Sequence, residues 1–305
     1  MTTPSTTANE SGKIRIDSEA CCGCGLCVSG CSDLSLCLQG GKAVVSDRSV
    51  FGCFACGHCM AVCPNNAIAV SGRSLSPADM FPLPARESGA DYAQLLILMQ
   101  RRRSVRAFTD LPVSQEHIEK IIAAAQTAPM GIPPSEVRLL VLDGREKVRR
   151  FSDDAYAIME QSAWLTSSVA LTLLRPFMKK ETYAMFRHFL KPLLNAYREH
   201  REKDIDAILY DAPLAMYFYG SPYSDADQMI AATYAMLAGE ALGLRTCMIG
   251  AVHPFLQIGG AGARVREKYN IAYKSKEGLV VIFGHANTAY RKGIHRVFAQ
   301  VHRPE

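Results

Sequence analysis

The chain has 305 residues, of which 49% are hydrophobic and 21% are charged, values that are ordinary for a folded globular protein and exclude a disordered one. Its net charge of +5 is too small to indicate nucleic-acid binding unless the basic residues form a concentrated face. Ten of the eleven cysteines fall between Cys21 and Cys63, which indicates a local chemical device and not a disulfide framework spread through the fold.

Residues 1–72 are predicted to form a small cysteine-rich domain. The pattern C-x2-C-x2-C-x3-C occurs twice, 32 positions apart, and short alternating strands flank each set. This spacing is similar to that of bacterial ferredoxins with two [4Fe-4S] clusters. Three closely spaced cysteines can wrap one face of a cluster, whereas the fourth lies too far along the chain and reaches the other cluster. The predicted ligand sets are Cys21, Cys24, Cys27 and Cys63, and Cys53, Cys56, Cys59 and Cys31.

Zinc is the main alternative for these cysteines. Paired C-x2-C motifs supply four ligands to each zinc site, which would leave the third cysteine of each triplet and the fourth cysteine of each set unexplained. Two departures from the ferredoxin pattern are visible: Ser32 stands where proline usually follows the fourth cysteine, and Cys22 and Cys37 are additional.

Residues 73–90 contain Pro77, Pro82 and Pro84 among small polar residues, which predicts an extended linker. Residues 91–305 alternate helical and strand patterns. Ser114 is a predicted N-cap and Gly243 a predicted helix stop. Residues 175–205 are basic and have a helical pattern. This pattern indicates either a surface excursion or lid, or a solvated helical hairpin. The predicted helices cover residues 92–100, 115–127 and 228–242, and the predicted strands cover residues 137–142, 215–219 and 279–283.

Four segments carry a resemblance to the nitroreductase family of FMN enzymes. RRRSVRAF (101–108) resembles the opening R-R-S-x-R-x-F motif of the family, and AAAQTAPMG (123–131) resembles its A-x-x-A-P-S loop. GEALGLRTCMIGAV (239–252) resembles the A-x-x-L-G-L-G-x-x-x-I-G segment, and GHANTAYRKGIHR (284–296) resembles the closing G-Y-P…Y-x-R…R tail. Neither a G-x-G-x-x-G dinucleotide motif nor a phosphate loop occurs.

The resemblance implies an α+β fold, with a mixed sheet flanked by helices and FMN at the interface of an obligate homodimer. Arginines near residue 102, together with Arg296 and either Arg291 or Lys292, would hold the phosphate. Backbone N–H groups of residues 248–250 would face the flavin ring. The residues assigned to FMN in this way are Arg102, Arg103, Ser104, Arg106, Pro129, Met130, Gly131, Pro133, Ser135, Met248, Ile249, Gly250, Arg291 and Arg296.

One departure bears on the substrate. The family loop usually continues with Asn and then Gln-Pro, whereas this chain has Pro133 at the Asn position and Ser135 at the Gln position. A stiffer and less polar loop argues against ordinary use of nitroaromatics or NAD(P)H, and it favours a subgroup with its own electron source. No side-chain acid is assigned, because water can supply protons to a flavin enzyme.

The leading hypothesis is an FMN-dependent oxidoreductase. An external one-electron donor such as ferredoxin or flavodoxin would load the two [4Fe-4S] clusters, and FMN would reduce a small organic acceptor: a nitro compound, a quinone or an activated alkene. Two alternatives keep the same cofactors: a non-enzymatic electron-transfer or redox-sensing module, and a flavin dehydrogenase that exports electrons through the clusters.

The expected location is the cytoplasm. The first 16 residues contain no apolar core and so predict no signal peptide. The longest uncharged stretch, residues 246–263, contains Pro254 and four glycines, which disfavours a membrane helix. Closely packed thiolates also favour a reducing compartment. We therefore expect no membrane partner and no nucleic-acid partner.

Overall fold

The computed structural model describes residues 10–31, 34–49, 52–132, 134–222, 226–272 and 274–304. Within these ranges, short antiparallel strand pairs lie before residue 72, and a four-stranded sheet with flanking helices follows residue 137. This is the α+β organisation that the sequence predicts.

The residues before position 72 form two antiparallel strand pairs and two short helices. Their elements are β1 (Lys13–Ile16), α1 (Leu26–Ser29), β2 (Leu36–Gln39), β3 (Lys42–Val45), α2 (His58–Val62) and β4 (Ile68–Ser71). β1 pairs with β4, and β2 pairs with β3. Val70 is completely buried between them, together with several cysteine side chains.

Each of these two helices begins directly after a glycine with positive φ. Gly25 precedes α1 with a φ of 78°, and Gly57 precedes α2 with a φ of 76°. The two glycines are 32 positions apart, which is also the spacing between the two cysteine sets. Glycine adopts this conformation without a steric penalty. The backbone conformation before each helix therefore repeats at the same spacing as the cysteines.

The segment between the strand pairs and the larger body is exposed. It contains two short 3₁₀ turns, Pro77–Asp79 and Arg86–Ser88, and every residue from 76 to 90 is exposed to solvent. An exposed segment with three prolines has the properties of a semi-rigid spacer.

The body is an antiparallel sheet with helices on both faces. Its elements before the central strand are α3 (Tyr92–Arg101), α4 (Gln115–Gln126), β5 (Arg138–Asp143), α5 (Arg145–Ser162), α6 (Ser168–Leu174), α7 (Lys180–Met185) and α8 (Lys191–Glu202). The remaining elements are β6 (Leu214–Tyr219), α9 (Asp227–Ala241), β7 (Arg245–Ile249), α10 (Val252–Leu256), α11 (Gly259–Lys268) and β8 (Gly278–Gly284). The strand order is β5-β6-β8-β7. All the described strand pairs of this sheet are antiparallel, whereas the resemblance implies a mixed sheet; the parallel element among them is an isolated bridge between Ser104 and Thr246 beside β7.

The two central strands form the middle of the core. Every residue of β6 and of β8 is buried, because their near-continuous apolar runs are covered on both faces. Phe218 and Phe283 face α4 and α9, whereas Tyr217 and Ile282 face α5 and α10. The edge strand β7 therefore pairs with a fully buried strand, β8.

α9 approaches the sheet closely because its inner face is made of small residues. Ala232 and Ala235 are completely buried there. A Cβ atom at Gly239 would lie only 2.8 Å from Cδ1 of Phe283 and 3.2 Å from Cγ2 of Thr246. Gly239 thus sets the separation between α9 and the β7–β8 edge.

A helical excursion lies between α5 and β6, and it starts before the predicted boundary at residue 175. An ion pair between Nε of Arg198 and Oε1 of Glu160, at 2.7 Å, ties α8 to α5. Trp164 and Phe177 in the excursion are 64% and 88% exposed. Across the described ranges, none of the helices combines the length and the apolar character needed to cross a membrane.

Replacing Gly239 by alanine tests the close approach of α9. We expect Gly239→Ala to lower the free energy of unfolding by about 1–3 kcal/mol, because the added methyl group forces the helix or Phe283 to move. Urea denaturation followed by circular dichroism measures this change. The matched control is Gly260→Ala in α11, where the nearest atom to the added Cβ is 3.6 Å away. Equal stability of both variants would contradict the tight contact.

Candidate functional site

A cavity of about 680 Å³ lies between three segments of the chain. These are the end of α3 with the residues that follow it, the start of β7, and residues 289–296 of the carboxy-terminal tail. Among the described residues, the lining contains no aspartate or glutamate. The permanently charged cations that line it are Arg101, Arg102, Arg103, Arg245, Arg291, Lys292 and Arg296.

Backbone pairing brings the first two segments together. The N–H group of Val105 donates to the carbonyl oxygen of Thr246 at 3.0 Å, beside the parallel bridge from Ser104. The chain after α3 therefore runs along the edge of β7. Val105 is only 2% exposed, so this added edge is anchored in the core while the preceding arginines remain at the cavity.

A buried carboxylate lies behind the arginines. The side chain of Glu240, in the last turn of α9, is only 2% exposed. Its Oε1 accepts a hydrogen bond from the Thr246 hydroxyl at 2.9 Å, and its Oε2 lies 3.4 Å from Nη1 of Arg245. Burial raises the pKa of Glu240, and the Thr246 hydroxyl and the guanidinium groups of Arg245 and Arg102 oppose that rise. Glu240 therefore orients Arg245.

One nitrogen of Arg102 lacks a partner within the described part of the chain. Its Nη1 is buried and forms no hydrogen bond there. Arg103 differs, since its Nη1 donates to the carbonyl oxygen of Arg102 at 2.8 Å. A buried donor without an acceptor carries a desolvation penalty of about 1–3 kcal/mol, and more when charged. An anion in the cavity would remove this penalty.

A second cavity, of about 260 Å³, contains the other predicted loop. Pro129, Met130 and Ser135 line it between α4 and α9. The backbone N–H of Gly131 donates to the carboxylate of Asp227 at 3.2 Å. Pro133 lies outside the described residues. Within one chain, the predicted flavin residues of this loop therefore line a different cavity from the predicted phosphate-binding arginines.

The remaining predicted flavin residues lie on or beside β7. Met248 is 43% exposed and Gly250 is also exposed, whereas Ile249 is buried in the core below the sheet. Ser104 is half-buried at the bridge to β7. Arg106 is placed away from the cavity lining, with its guanidinium carbon 5.7 Å from the centre of the Tyr210 ring.

Sequence reasoning missed Arg245 and Glu240. A signal for Arg245 was present: the segment 242–245 reads L-G-L-R, with arginine where the family pattern has glycine. No comparable signal marks Glu240. Its role follows from the turn at Gly243, which brings the end of α9 back to the first two residues of β7.

Cysteines from both sets lie around one small core, whereas Cys24 and Cys56 are exposed. Cys21, Cys27 and Cys59 are buried, and Cys31, Cys53 and Cys63 pack against them at partial exposure. Backbone N–H groups point at three of the sulfur atoms: Ala43 to Cys21 at 3.5 Å, Ala55 to Cys53 at 3.4 Å, and Ala67 to Cys63 at 3.2 Å. Such donors stabilise sulfur ligands that carry negative charge.

Electrostatic interactions among the thiols cross between the two sequence sets. Burial raises the pKa of Cys27, and the neighbouring thiols of Cys21 and Cys63 add to the rise. Burial also raises the pKa of Cys59 to about 11, with further contributions from Cys53, Cys56 and Cys31. Cys63 is thus near the first triplet and Cys31 near the second.

The second of these groups surrounds a small cavity. Cys31, Cys53, Cys56 and Cys59 all line it, together with apolar residues such as Ile14 and Val70. The donor set consists of sulfur only, which suits iron–sulfur clusters. Over the described residues, no group of three or more His, Cys, Asp or Glu side chains is arranged to hold a single metal ion.

The body of the chain matches a known family. The model of the nitroreductase family covers residues 99–285. The chain belongs to the nitroreductase family. The expected membership of this family is thereby confirmed. The nitroreductase match includes the first two segments of the arginine cavity and ends just after β8, so the cysteine-rich residues and tail residues 289–296 lie outside it.

Individual relatives extend this result to the fold. The nitroreductase with bound FMN from Desulfitobacterium hafniense is 21% identical, with a TM-score of 0.50, and the match covers 69% of this chain and 98% of that chain. The nitroreductase with bound FMN from Bacteroides fragilis is 17% identical, with a TM-score of 0.52, over 70% of this chain and 99% of that chain. At these identities the likeness concerns the fold alone.

A curated relative covers less of the chain. The FMN reductase [NAD(P)H] of Bacillus subtilis is 27% identical over 150 residues, which is 49% of this chain and 51% of the relative. The chain therefore spans about half the length of the curated relative that it matches.

The raised pKa of Glu240 leads to a pH prediction. At a pH between 4.5, the ordinary pKa of a glutamate, and the higher pKa of Glu240 in the folded protein, Glu240 is protonated in the folded protein and ionised in the unfolded chain. The free energy of unfolding therefore decreases as the pH rises through this range. Gln at position 240 keeps an acceptor for Thr246 but does not titrate. We expect the stability of Glu240→Gln, relative to the unmodified protein, to increase from pH 4.5 to pH 7 in urea denaturation.

The control for this prediction is Glu116→Gln. Glu116 is exposed, and its hydrogen bond to Lys120 lowers its pKa. Its effect on the pH dependence of stability therefore has the opposite sign. The stability of Glu116→Gln, relative to the unmodified protein, should not rise with pH. A Glu240→Gln profile parallel to that of the unmodified protein would contradict the raised pKa.

Proposed function

We propose that the protein is an iron–sulfur flavoprotein oxidoreductase. Two [4Fe-4S] clusters would pass single electrons to FMN, which would reduce a small organic acceptor by two electrons. The observation that carries this proposal is the combination, in one chain, of two C-x2-C-x2-C-x3-C sets with an arginine-lined cavity in a nitroreductase-family body. Neither feature alone would distinguish it from a simple ferredoxin or a simple flavin reductase.

The arginine cavity is the site that we propose for FMN. Arg102 and Arg103 at one side and Arg291 and Arg296 at the other would bind its phosphate, because guanidinium groups match phosphate oxygens in pairs. The unpaired Nη1 of Arg102 gains an acceptor in this arrangement. The two solved nitroreductases that share the fold are described with bound FMN, and the curated relative is an FMN reductase.

Two [4Fe-4S] clusters are the second part of the proposal. The first would be held by Cys21, Cys24, Cys27 and Cys63, and the second by Cys53, Cys56, Cys59 and Cys31. The proximity of Cys63 to the first triplet and of Cys31 to the second supports this crossed pairing. The three N–H···S contacts and the four cysteines that line one small cavity also support it.

The two kinds of cofactor supply complementary chemistry. Iron–sulfur clusters carry electrons, and FMN accepts electrons singly and delivers them in pairs. For a nitro acceptor, two electrons and two protons yield a nitroso group and one water. The role of the chain is to hold both cofactors, and protons would come from water because no side-chain acid is assigned at the arginine cavity.

We further propose a homodimer that works in a reducing, cytoplasmic environment. No residue of α3 is buried, and its Tyr92 and Ile97 are 78% and 54% exposed. Val297 and Phe298 of the tail are 90% and 84% exposed. Apolar surface of this extent next to the cavity is typical of a protein interface. The clustered thiols require a reducing compartment to remain available as ligands.

Iron content tests the crossed ligand sets. The anaerobically purified protein should contain about eight irons per chain, and Cys63→Ser should contain about four. The double variant Cys21→Ser/Cys63→Ser should also keep about four, because both residues serve one cluster. Cys31→Ser/Cys63→Ser should lose almost all iron, because its two changes affect different clusters.

Cys22→Ser is the control, since Cys22 is exposed and belongs to neither set. In the same preparations, reduced ferredoxin should support faster acceptor reduction than NADH, and Cys63→Ser should lose most of the ferredoxin-driven rate. A protein without iron would overturn the cluster proposal. Bleaching of the clusters by an organic substrate under argon would reverse the proposed direction of electron flow.

Removing one arginine tests the FMN site. We expect Arg102→Gln to weaken FMN binding about tenfold or more, because a charge-assisted hydrogen bond to phosphate is lost. Fluorescence quenching during titration of the flavin-free protein with FMN measures the dissociation constant. Arg264→Gln, which removes the same charge from an exposed position on α11, is the control. Equal affinity of both variants would remove Arg102 from the site.

A further inference from the structure

The arginine cavity contains more positive charge than one flavin phosphate can neutralise. Seven arginine and lysine side chains line it. One phosphate monoester carries about two negative charges at neutral pH, and the Glu240 carboxylate behind Arg245 supplies one more. Four positive charges remain without a counter-charge.

Arginines elsewhere in the body are arranged differently. Arg149 contacts three carboxylates, and Arg198 and Arg201 each form an ion pair. In the described part of the chain, Arg245 is the one cavity cation that has an ion pair. Like charges held in one cavity repel each other, and a concave surface lined by one sign of charge concentrates counter-ions. The local arrangement therefore favours a further anion.

Arg245 is the best placed of the surplus cations. It begins β7 directly beside the Ser104–Thr246 bridge, and it lies in none of the positions that the family resemblance assigns to the flavin. Glu240 fixes its guanidinium group through a contact of 3.4 Å, and the side chain remains 29% exposed. One side of Arg245 is thus occupied by a buried carboxylate, and the group still lines the cavity.

We propose that the cavity holds a second anion beside the flavin phosphate: a carboxylate or phosphate group of the small molecule that exchanges electrons with the flavin, bound by Arg245 and Arg101. This inference rests on the proposed function and narrows its substrate class to negatively charged molecules. Arg101 is the exposed last residue of α3, and it supplies a second cation without displacing the arginines assigned to FMN.

Matched acceptors test this proposal on the FMN-saturated protein. Nitrobenzene, 4-nitrobenzoate and 4-nitrophenyl phosphate differ mainly in charge and are reduced by the same chemistry, with dithionite-reduced methyl viologen as the electron source. We expect kcat/KM for the two charged acceptors to exceed that for nitrobenzene by about tenfold or more at low salt, and the ratio to fall as salt rises. The larger ratio of the two identifies carboxylate or phosphate as the preferred group.

Variants then assign the effect to the second subsite. Arg245→Gln should lower the charged-to-neutral ratio about tenfold, and Arg264→Gln should leave that ratio unchanged. Arg101→Gln provides a second variant at an exposed position, and its ratio should also fall. A ratio near one in the unmodified protein, or an equal ratio in Arg245→Gln and Arg264→Gln, would overturn the proposal.

A binding measurement separates this proposal from the proposed function. If none of the acceptors is reduced, the proposed activity fails, but calorimetric titration of the FMN-saturated protein with inorganic pyrophosphate still tests the subsite. One saturable site per chain that weakens about tenfold in Arg245→Gln supports the second anion. Absence of saturable binding, or binding that Arg245→Gln does not weaken, refutes it.

Discussion

The backbone pairing between the chain after α3 and the edge of β7 is the contact on which the arginine cavity depends. A single hydrogen bond, from the N–H of Val105 to the carbonyl of Thr246, joins residues far apart in sequence. It fixes three consecutive arginines next to Arg245, and the hydroxyl of the same Thr246 binds Glu240. One residue of β7 therefore positions the cations through its main chain and their buried carboxylate through its side chain.

This arrangement is supported by the buried sheet behind it. β8, the neighbour of β7, is buried along its whole length, and α9 lies against both strands with glycine at the point of closest approach. The position of Glu240 relative to Arg245 follows from that packing. A small shift of α9 would move the carboxylate away from the strand, so the electrostatics of the cavity depend on an apolar contact at Gly239.

Much of the body could be predicted from sequence because its signals are local. Ser114 does cap α4, by accepting a hydrogen bond from the N–H of His117. The apolar runs of β6 and β8 and the small residues of α9 predict the ends of these three elements to within one residue. The sequence did not predict β7 or β2, because Arg245-Thr246 and the short Leu36–Gln39 run lack a clear strand pattern.

For the site too, the sequence predicts residues that carry a local signal, and it does not predict contacts that depend on tertiary packing. Motifs placed Arg102, Arg103, Arg291 and Arg296 at one cavity, since each belongs to a recognisable segment. The contact between Glu240 and Arg245, and the stacking of Arg106 on Tyr210, depend on side-chain directions that only tertiary packing determines. The cysteine spacing, by contrast, predicts from sequence alone that the fourth residue of each set approaches the other triplet, and the cavity that Cys31 shares with Cys53, Cys56 and Cys59 is consistent with this prediction for one of the two sets.

The exposed, proline-containing segment between residues 76 and 90 has a kinetic consequence. A flexible or semi-rigid tether keeps two parts of a chain at an effective concentration in the millimolar range. A spacer of this kind would hold the cysteine-rich residues close to the body without requiring a large interface between them. The frequency of encounter between the two parts then depends on the length and stiffness of this spacer, and it does not depend on the abundance of the protein in the cell.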